Sequence, residues 1–413
     1  MKKIFAMLLC TVMLFSSFSV FAAEAATDET DPYAFDEEYY SRFEGQDITL
    51  YVYNWGEYIA DGSEGSEDVI QIFEDLTGID VEYTTFDTNE ALYSKLQSAS
   101  AYYDVIIPSD YMISRMIDKD MLEKLDFSNI PNFEKYVSET FKNNVEYDPT
   151  LEYSVPYTWG TVGIIYNTKY VTKTVDSWDI LWDEDYAGKI LMFDNSRDAF
   201  AIALEKLGYS VNTENEDEIN EAADLLREQK PLVQAYVMDQ IFDKMEEENA
   251  WVAPYYAGDF ITMHEQNENL AFCFPKEGSN FFVDAMCIPK GCKNKEAAEM
   301  FINFMCEPTI SAENCGATGY STPIDEAKNL IDPELAANEY AYPSEEILSR
   351  TEKFVNLSDE TNKLLDDLWI SISVSGLSTG FWIAVAVVVV AVIVVCLIIM
   401  NRKKKRESIR KSV

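Results

Sequence analysis

The sequence predicts an α/β protein of two lobes, followed near its C-terminal end by one membrane-spanning helix. Short apolar strands alternate with amphipathic helical runs, the pattern of an α/β sheet. The chain has 413 residues, 47% of them hydrophobic, which exceeds one small core and suits two lobes of ordinary domain size. A stretch of twenty residues without a charge, 381–400, abuts a basic cluster.

At the front, Lys2 and Lys3 precede an apolar stretch, and small residues follow at Ala22, Ala23, Ala25 and Ala26. A basic start, an apolar core and an A-x-A-like exit read as a secretory signal over 1–23. Residues 24–46 are acidic and polar and read as a flexible lead. A strand is expected over 48–53. Ser66 can cap a helix in which Val69, Ile72, Phe73 and Leu76 form one apolar stripe, ended by Gly78. A strand over 81–86, a helix over 88–98 and a short buried strand at 104–108 follow, with a turn at Ser109 and Asp110. In α/β sheets ligands bind beyond the carboxyl ends of the strands, so the loops after Tyr53 and Ile107 are candidate ligand loops.

A second α/β stretch starts after Pro156. Strands are expected at 163–167 and 189–193, and helices at 199–207, 218–228 and 295–306. The runs 251–261, 270–274 and 281–289 read as strand-like or turning. A last helix over 361–369 leads to a small, polar stalk at 371–380. The uncharged stretch 381–400 is long enough to span ~30 Å of hydrocarbon as a helix. Arg402, Lys403, Lys404, Lys405 and Arg406 follow, so the tail 401–413 is expected in the cytoplasm and the body outside, extracellular or periplasmic.

The signal and tail hold nine of the 32 basic residues and one of the 73 acidic ones. The outer body keeps 23 and 72, a net charge of about −49. Such a body repels nucleic acid and attracts cations. Outside the signal and the span there are five cysteines, an odd number, no C-x-x-C and one histidine, His264. A zinc site of the usual spacing is therefore not supported, and no cofactor is expected; one disulfide stays open.

Several runs are recognisable: YVYNWGEYI (51–59), FEDLTGIDVEY (73–83), DVIIPSDY (104–111), SVPYTWGTVGIIYN (154–167), SWDILW (177–182), FPKEGSNFFVDAMCIP (274–289), KNKEAAEMFINFM (293–305) and TGYSTP (318–323). In order and spacing the chain resembles the spermidine/putrescine-binding proteins of ABC transporters from about residue 47 to about 350. The resemblance implies a two-lobed, type II periplasmic-binding-protein-like fold with a hinge. Lobe one would hold 47–156 and 284–325; lobe two, 157–283 and 326–370. It implies a non-enzymatic, monomeric receptor that hands a polyamine to a permease and an ATPase on separate chains. No P-loop occurs in this sequence, which places the motor elsewhere.

A polyamine is an apolar chain with ammonium groups at fixed spacing, and it needs carboxylates at its ends and aromatic faces along its methylenes. Carried over by motif, the aromatic wall is Trp55, Tyr58, Tyr111, Tyr256, Phe282 and Tyr320. Ser109 would hydrogen-bond an amine. The carboxylates are Asp284, Asp198, Glu57 and Asp259. The chain departs from the spermidine pattern at Asn195, where an acid is usual, and at Tyr256 and Phe282, where Trp is usual. The family's late glutamine near 354 is missing, and the YAGDF run resembles the putrescine-preferring branch. A receptor of the same fold for ferric iron, an opine or a peptide, or a sensory ectodomain, stays open beside the polyamine reading.

Overall fold

The structure, a computed structural model, describes residues 34–374 except 99, 100 and 144. The expected signal, the membrane span and the tail lie outside the described residues, as does most of the stalk. Among the described residues no helix is long and apolar enough to cross a membrane.

The chain begins as an α/β unit. Strand β1 (Thr49–Trp55) buries Leu50 and Val52, and helix α1 (Val69–Thr77) follows it. Asp68, not the expected Ser66, caps α1: its carboxylate accepts from Gln71 N at 3.0 Å. Ser66 is spent on the loop, donating to the Ser63 carbonyl at 2.8 Å. Gly78 ends α1 at φ +70°, a left-handed conformation that suits glycine. Strand β2 (Asp80–Phe86) then pairs in parallel with β1, Thr49 opposite Asp80 through Trp55 opposite Phe86. Helix α2 (Asn89–Leu96), strand β3 (Val105–Ile106) and helix α3 (Asp110–Asp118) complete this part.

Strand β4 (Ser154–Asn167) is longer than the expected 163–167. Proline has no N–H for a ladder, so Pro156 suggested a boundary. The strand accommodates it at an irregularity in register between Pro156 and Thr158. Strand β5 (Ile190–Phe193), helices α4 (Ser196–Leu207) and α5 (Glu216–Gln229), and strands β6 (Val233–Val237) and β7 (Val252–Tyr256) build the second part. The expected strand-like run at 251–261 is β7 and then a helix, α6 (Ala257–Gln266). Strands β8 (Leu270–Cys273) and β9 (Ser279–Cys287), helices α7 (Lys295–Met305) and α8 (Pro308–Thr318), strand β10 (Thr351–Glu352) and helix α9 (Asp359–Val374) close the chain. Helix α9 runs into residues 371–374, expected as stalk.

The sheet order is β2-β1-β3-β9-β4-β7-β5-β6, with β10 on β9 and β8 on β4. The antiparallel pair β4–β9 stands in the middle and joins two sets of parallel strands. Strand β4 belongs to both cores. Val155 and Tyr157 pack with Leu50, Phe73 and Phe301, whereas Val162, Ile164 and Ile165 pack with Trp178, Phe193 and Phe200. A third cluster, around Tyr111, Ile113 and Ala285, lies beside the first set.

Two segments differ from expectation. Residues 34–46, read as flexible lead, dock on the first core. Tyr40 is buried there, donates to Glu307 Oε1 at 2.6 Å and accepts from Asn303 Nδ2 at 2.9 Å. The segment 326–370, expected whole in lobe two, divides. Ala327 and Ile331 are buried in the first core, and Leu357, Leu365 and Trp369 in the other. The apolar residues of each piece decide where it packs. All five described cysteines are free thiols, and Cys287, Cys306 and Cys315 are buried.

Candidate functional site

All eleven residues carried over above by motif line one cavity enclosing about 590 Å³, counting space open to solvent. That is within the usual range for small-molecule sites. Its floor is the central pair of strands. Along β9, Phe282 and Asp284 share one face because strand side chains alternate. Helix α3 brings Tyr111 from one side, with Ser109 at its N-terminal cap. The end of β1 brings Trp55, and the loop after it brings Glu57 and Tyr58. Glu57 sits at φ +47°, a left-handed conformation unusual for a side-chain-bearing residue and often found at functional loops. From the other core come Asp198 in the first turn of α4, and Tyr256 and Asp259 at the start of α6.

Three carboxyls are each held by a tyrosine. Tyr58 donates to Asp284 Oδ2 at 2.6 Å, Tyr256 to Asp198 Oδ2 at 3.1 Å, and Tyr320 to Asp259 Oδ2 at 2.9 Å. Asn195 Nδ2 also donates to Asp198 Oδ2, at 2.6 Å. A neutral amide at 195 thus supports Asp198, where a second acid would repel it. Asp284 Oδ1 is buried and without a hydrogen-bond partner; the Ser109 hydroxyl is near but outside bonding geometry. Such an atom awaits a donor.

Burial controls the charge state of these acids. It pushes Asp284 up to about 6, against the lowering effect of the Ser109 and Tyr58 hydroxyls. It pushes Asp198 up to about 7, against the Tyr256 hydroxyl. Asp259 is raised well above the usual range by burial, and the carboxyls of Asp239 and Glu57 add to this while Tyr320 opposes it. No Lys, Arg or His is among the residues lining the cavity. The buried Arg197 acts on Asp198 from behind, but its guanidinium is taken by Val211 O, Asn212 Oδ1 and Val355 O and stacks on Phe354 at 4.6 Å.

The rings meet edge to face. Tyr58 lies 4.7 Å from Tyr320, and Phe282 lies 5.4 Å from Tyr256 and 6.2 Å from Tyr320. Glycines make this approach possible. A Cβ on Gly160 would come within 2.8 Å of the Phe282 ring, and one on Gly258 within 2.6 Å of the Tyr320 ring. Trp55 tilts against Phe86 at 4.6 Å, its Nε1 buried and unpartnered.

Two expected contacts are already partly engaged. Ser109 Oγ accepts from Asn89 Nδ2 at 3.0 Å, and Tyr111 donates to Glu90 Oε1 at 2.9 Å. Both side chains retain capacity at the cavity wall. The sequence reading missed Asn89, Asp239, Phe242, Tyr255, Asn280 and Phe354, which also line the cavity. Asp239 had a signal: the run LVQAYV precedes it, β6 lies within that run, and ligand residues follow strand ends. Asn89 had none, because its partner Ser109 lies twenty residues away.

Two cores are joined by crossing strands, and an acid- and ring-lined cavity lies where their side chains converge, the arrangement of a protein that captures a small ligand. The chain belongs to the bacterial extracellular solute-binding proteins, whose family model matches residues 68–341. The spermidine/putrescine-binding periplasmic protein of Salmonella typhimurium is 35% identical over 306 residues, 74% of this chain and 86% of that one. An ABC transporter structure from Listeria monocytogenes superposes with a TM-score of 0.75 at 38% identity, covering 79% of this chain and 99% of that one. The spermidine/putrescine ABC transporter substrate-binding protein PotD of Streptococcus pneumoniae gives 0.66 at 36% identity, with the same coverage. The chain is accordingly a solute-binding transport protein and not an enzyme.

Proposed function

We propose that this chain is the polyamine receptor of an ABC uptake system, held at the cell membrane by the uncharged stretch 381–400 with its binding body outside. The observation that carries the ligand class is the cavity lining: the carboxyls of Glu57, Asp198, Asp239, Asp259 and Asp284 among aromatic rings, without a basic side chain. An ammonium at Asp284 would satisfy the unpartnered Oδ1. Each charge-assisted hydrogen bond contributes ~1.5–3 kcal/mol net and each cation–π contact ~0.5–2 kcal/mol. Two or three of each total roughly 4–15 kcal/mol before the cost of association is subtracted. An opine or ferric citrate would bring its own carboxylates against these acids.

The names of the relatives support the same ligand class and an ABC permease and ATPase as partners. Lobe one would be the first core with residues up to about 342, and lobe two the other core with α9. The middle strands β4 and β9 would be the hinge about which the lobes close. Calorimetry of the full-length protein in detergent with putrescine, spermidine, glutamate, maltose and ferric citrate tests the reading. Saturable heat with the amines alone is expected, and no heat with either amine refutes it. For the anchor, protease added outside intact cells should remove the body and spare the tail; loss of the tail would refute the orientation.

A further inference from the structure

One cavity carboxylate, Asp239, has no counterpart in the motif-based site. Its side chain makes no hydrogen bond or ion pair with any other described residue. It stands just after β6 and directly across from Gly56 in the loop after β1: a Cβ on Gly56 would lie 2.0 Å from Asp239 Oδ2. Gly56 therefore leaves room for this carboxylate, and any side chain there would displace it.

Asp239 also stands at an opening. With Trp55, Gly56, Glu57, Tyr58 and Phe242 it lines both the cavity and a wider groove of about 2430 Å³, again counting space open to solvent. Nine carboxyl-bearing residues and no Lys, Arg or His line that groove. A cationic chain end that emerges at Asp239 meets only favourable charge.

The cavity acids fall into two groups by the fields they exert. Asp198 feels Glu90, then the opposing cation of Arg197, then Asp284, whereas Asp259 feels Asp239 and Glu57. Asp239 in turn is pushed up by burial and then by Asp87 and Glu57. The outer group of lining acids is Glu57, Asp239 and Asp259, with Asp87 behind it; the inner group is Asp198 and Asp284, with Glu90 behind it and already bonded to Tyr111. A diammonium ligand places one charge in each group and leaves two acids of the outer one without a cation. A third ammonium there favours their charged forms and bonds with them.

We propose that Asp239, set against Gly56 where the cavity meets the groove, holds the outer ammonium of a triamine and selects triamines such as spermidine over diamines such as putrescine. This rests on the polyamine reading of the cavity. It assigns Asp239 as a specificity residue and the acidic groove as the route by which the longer cation enters.

The test is calorimetric titration of the full-length protein in detergent with putrescine and spermidine, on the wild type and on Asp239→Asn, an isosteric change at a half-buried position. The wild type is expected to bind spermidine at least tenfold more tightly than putrescine. Asp239→Asn should lower spermidine affinity at least tenfold and putrescine affinity no more than about threefold. Gly56→Ala, which displaces the carboxylate without removing it, should shift the ratio in the same direction. Equal losses for both amines, or no change for either, overturn Asp239 as the selector while leaving the polyamine reading intact. No heat with either amine on the wild type overturns that reading, and this inference with it.

Discussion

At the scale of single residues, the cavity is an arrangement of acids kept part-protonated by burial. Asp284 has one oxygen satisfied by Tyr58 and one unpartnered. Asp284→Asn keeps the shape and removes the charge, so amine affinity should fall at least tenfold, ~1.4 kcal/mol or more. An unchanged constant in a folded variant would remove Asp284 from the site. The acids also fix the sign of the pH dependence. In the free protein Asp284 titrates near 6 and Asp198 near 7. An ammonium favours their charged forms, so binding drives protons off. Affinity should therefore fall as pH drops from 8 to 5. At pH 6.5 the heat of binding should depend on the ionisation enthalpy of the buffer. Buffer-independent heats would show that no proton is released.

At the scale of elements, helix α6 brings Asp259 to the cavity, and it was the element least legible in the sequence. Its second residue is Gly258, which lowers helix propensity by roughly 1 kcal/mol relative to alanine. The reason for the glycine is tertiary: the Tyr320 ring occupies the space of a Cβ. Gly258→Ala should improve local helix propensity yet push Tyr320 off Asp259. Overpacking of this kind costs ~1–3 kcal/mol, and a lower melting temperature with weakened amine binding is expected. A melting temperature equal to or above that of the wild type would mean that Tyr320 can move aside freely. Other elements were legible for local reasons. The apolar stripe of α1 and its Gly78 stop lie within one short run, as do the residues of β1 and β2. What stayed hidden depends on distant partners: the bulge that admits Pro156 into β4, the docking of Tyr40 on Glu307 and Asn303, and the pairing of Asn89 with Ser109. Of the site, motif residues could be named because they sit in recognisable runs. Asn89 and Phe354 could not, since only the fold carries them to the same cavity.

At the scale of the whole molecule, buried acids make stability depend on pH. Burial pushes Asp110 and Glu205 up to about 8, Asp198 to about 7 and Asp284 to about 6. A carboxyl raised in this way binds its proton more tightly folded than unfolded. The stability it brings is present below about pH 4 and is lost as pH rises through 6 to 8. The free protein should therefore melt at a higher temperature at pH 5.5 than at pH 8.5, and saturating amine should narrow the difference. A free protein that melts higher at pH 8.5 would contradict these burial effects.

Strand β4 has one further consequence. Its fourteen residues supply Val155 and Tyr157 to one core and Ile164 and Ile165 to the other. Neither half can melt without fraying a strand that the other half needs, so heat should be absorbed in one step. Differential scanning calorimetry should give a single endotherm whose calorimetric and van't Hoff enthalpies agree. Two resolved peaks would mean that the shared strand can be released from one half while the other stays folded.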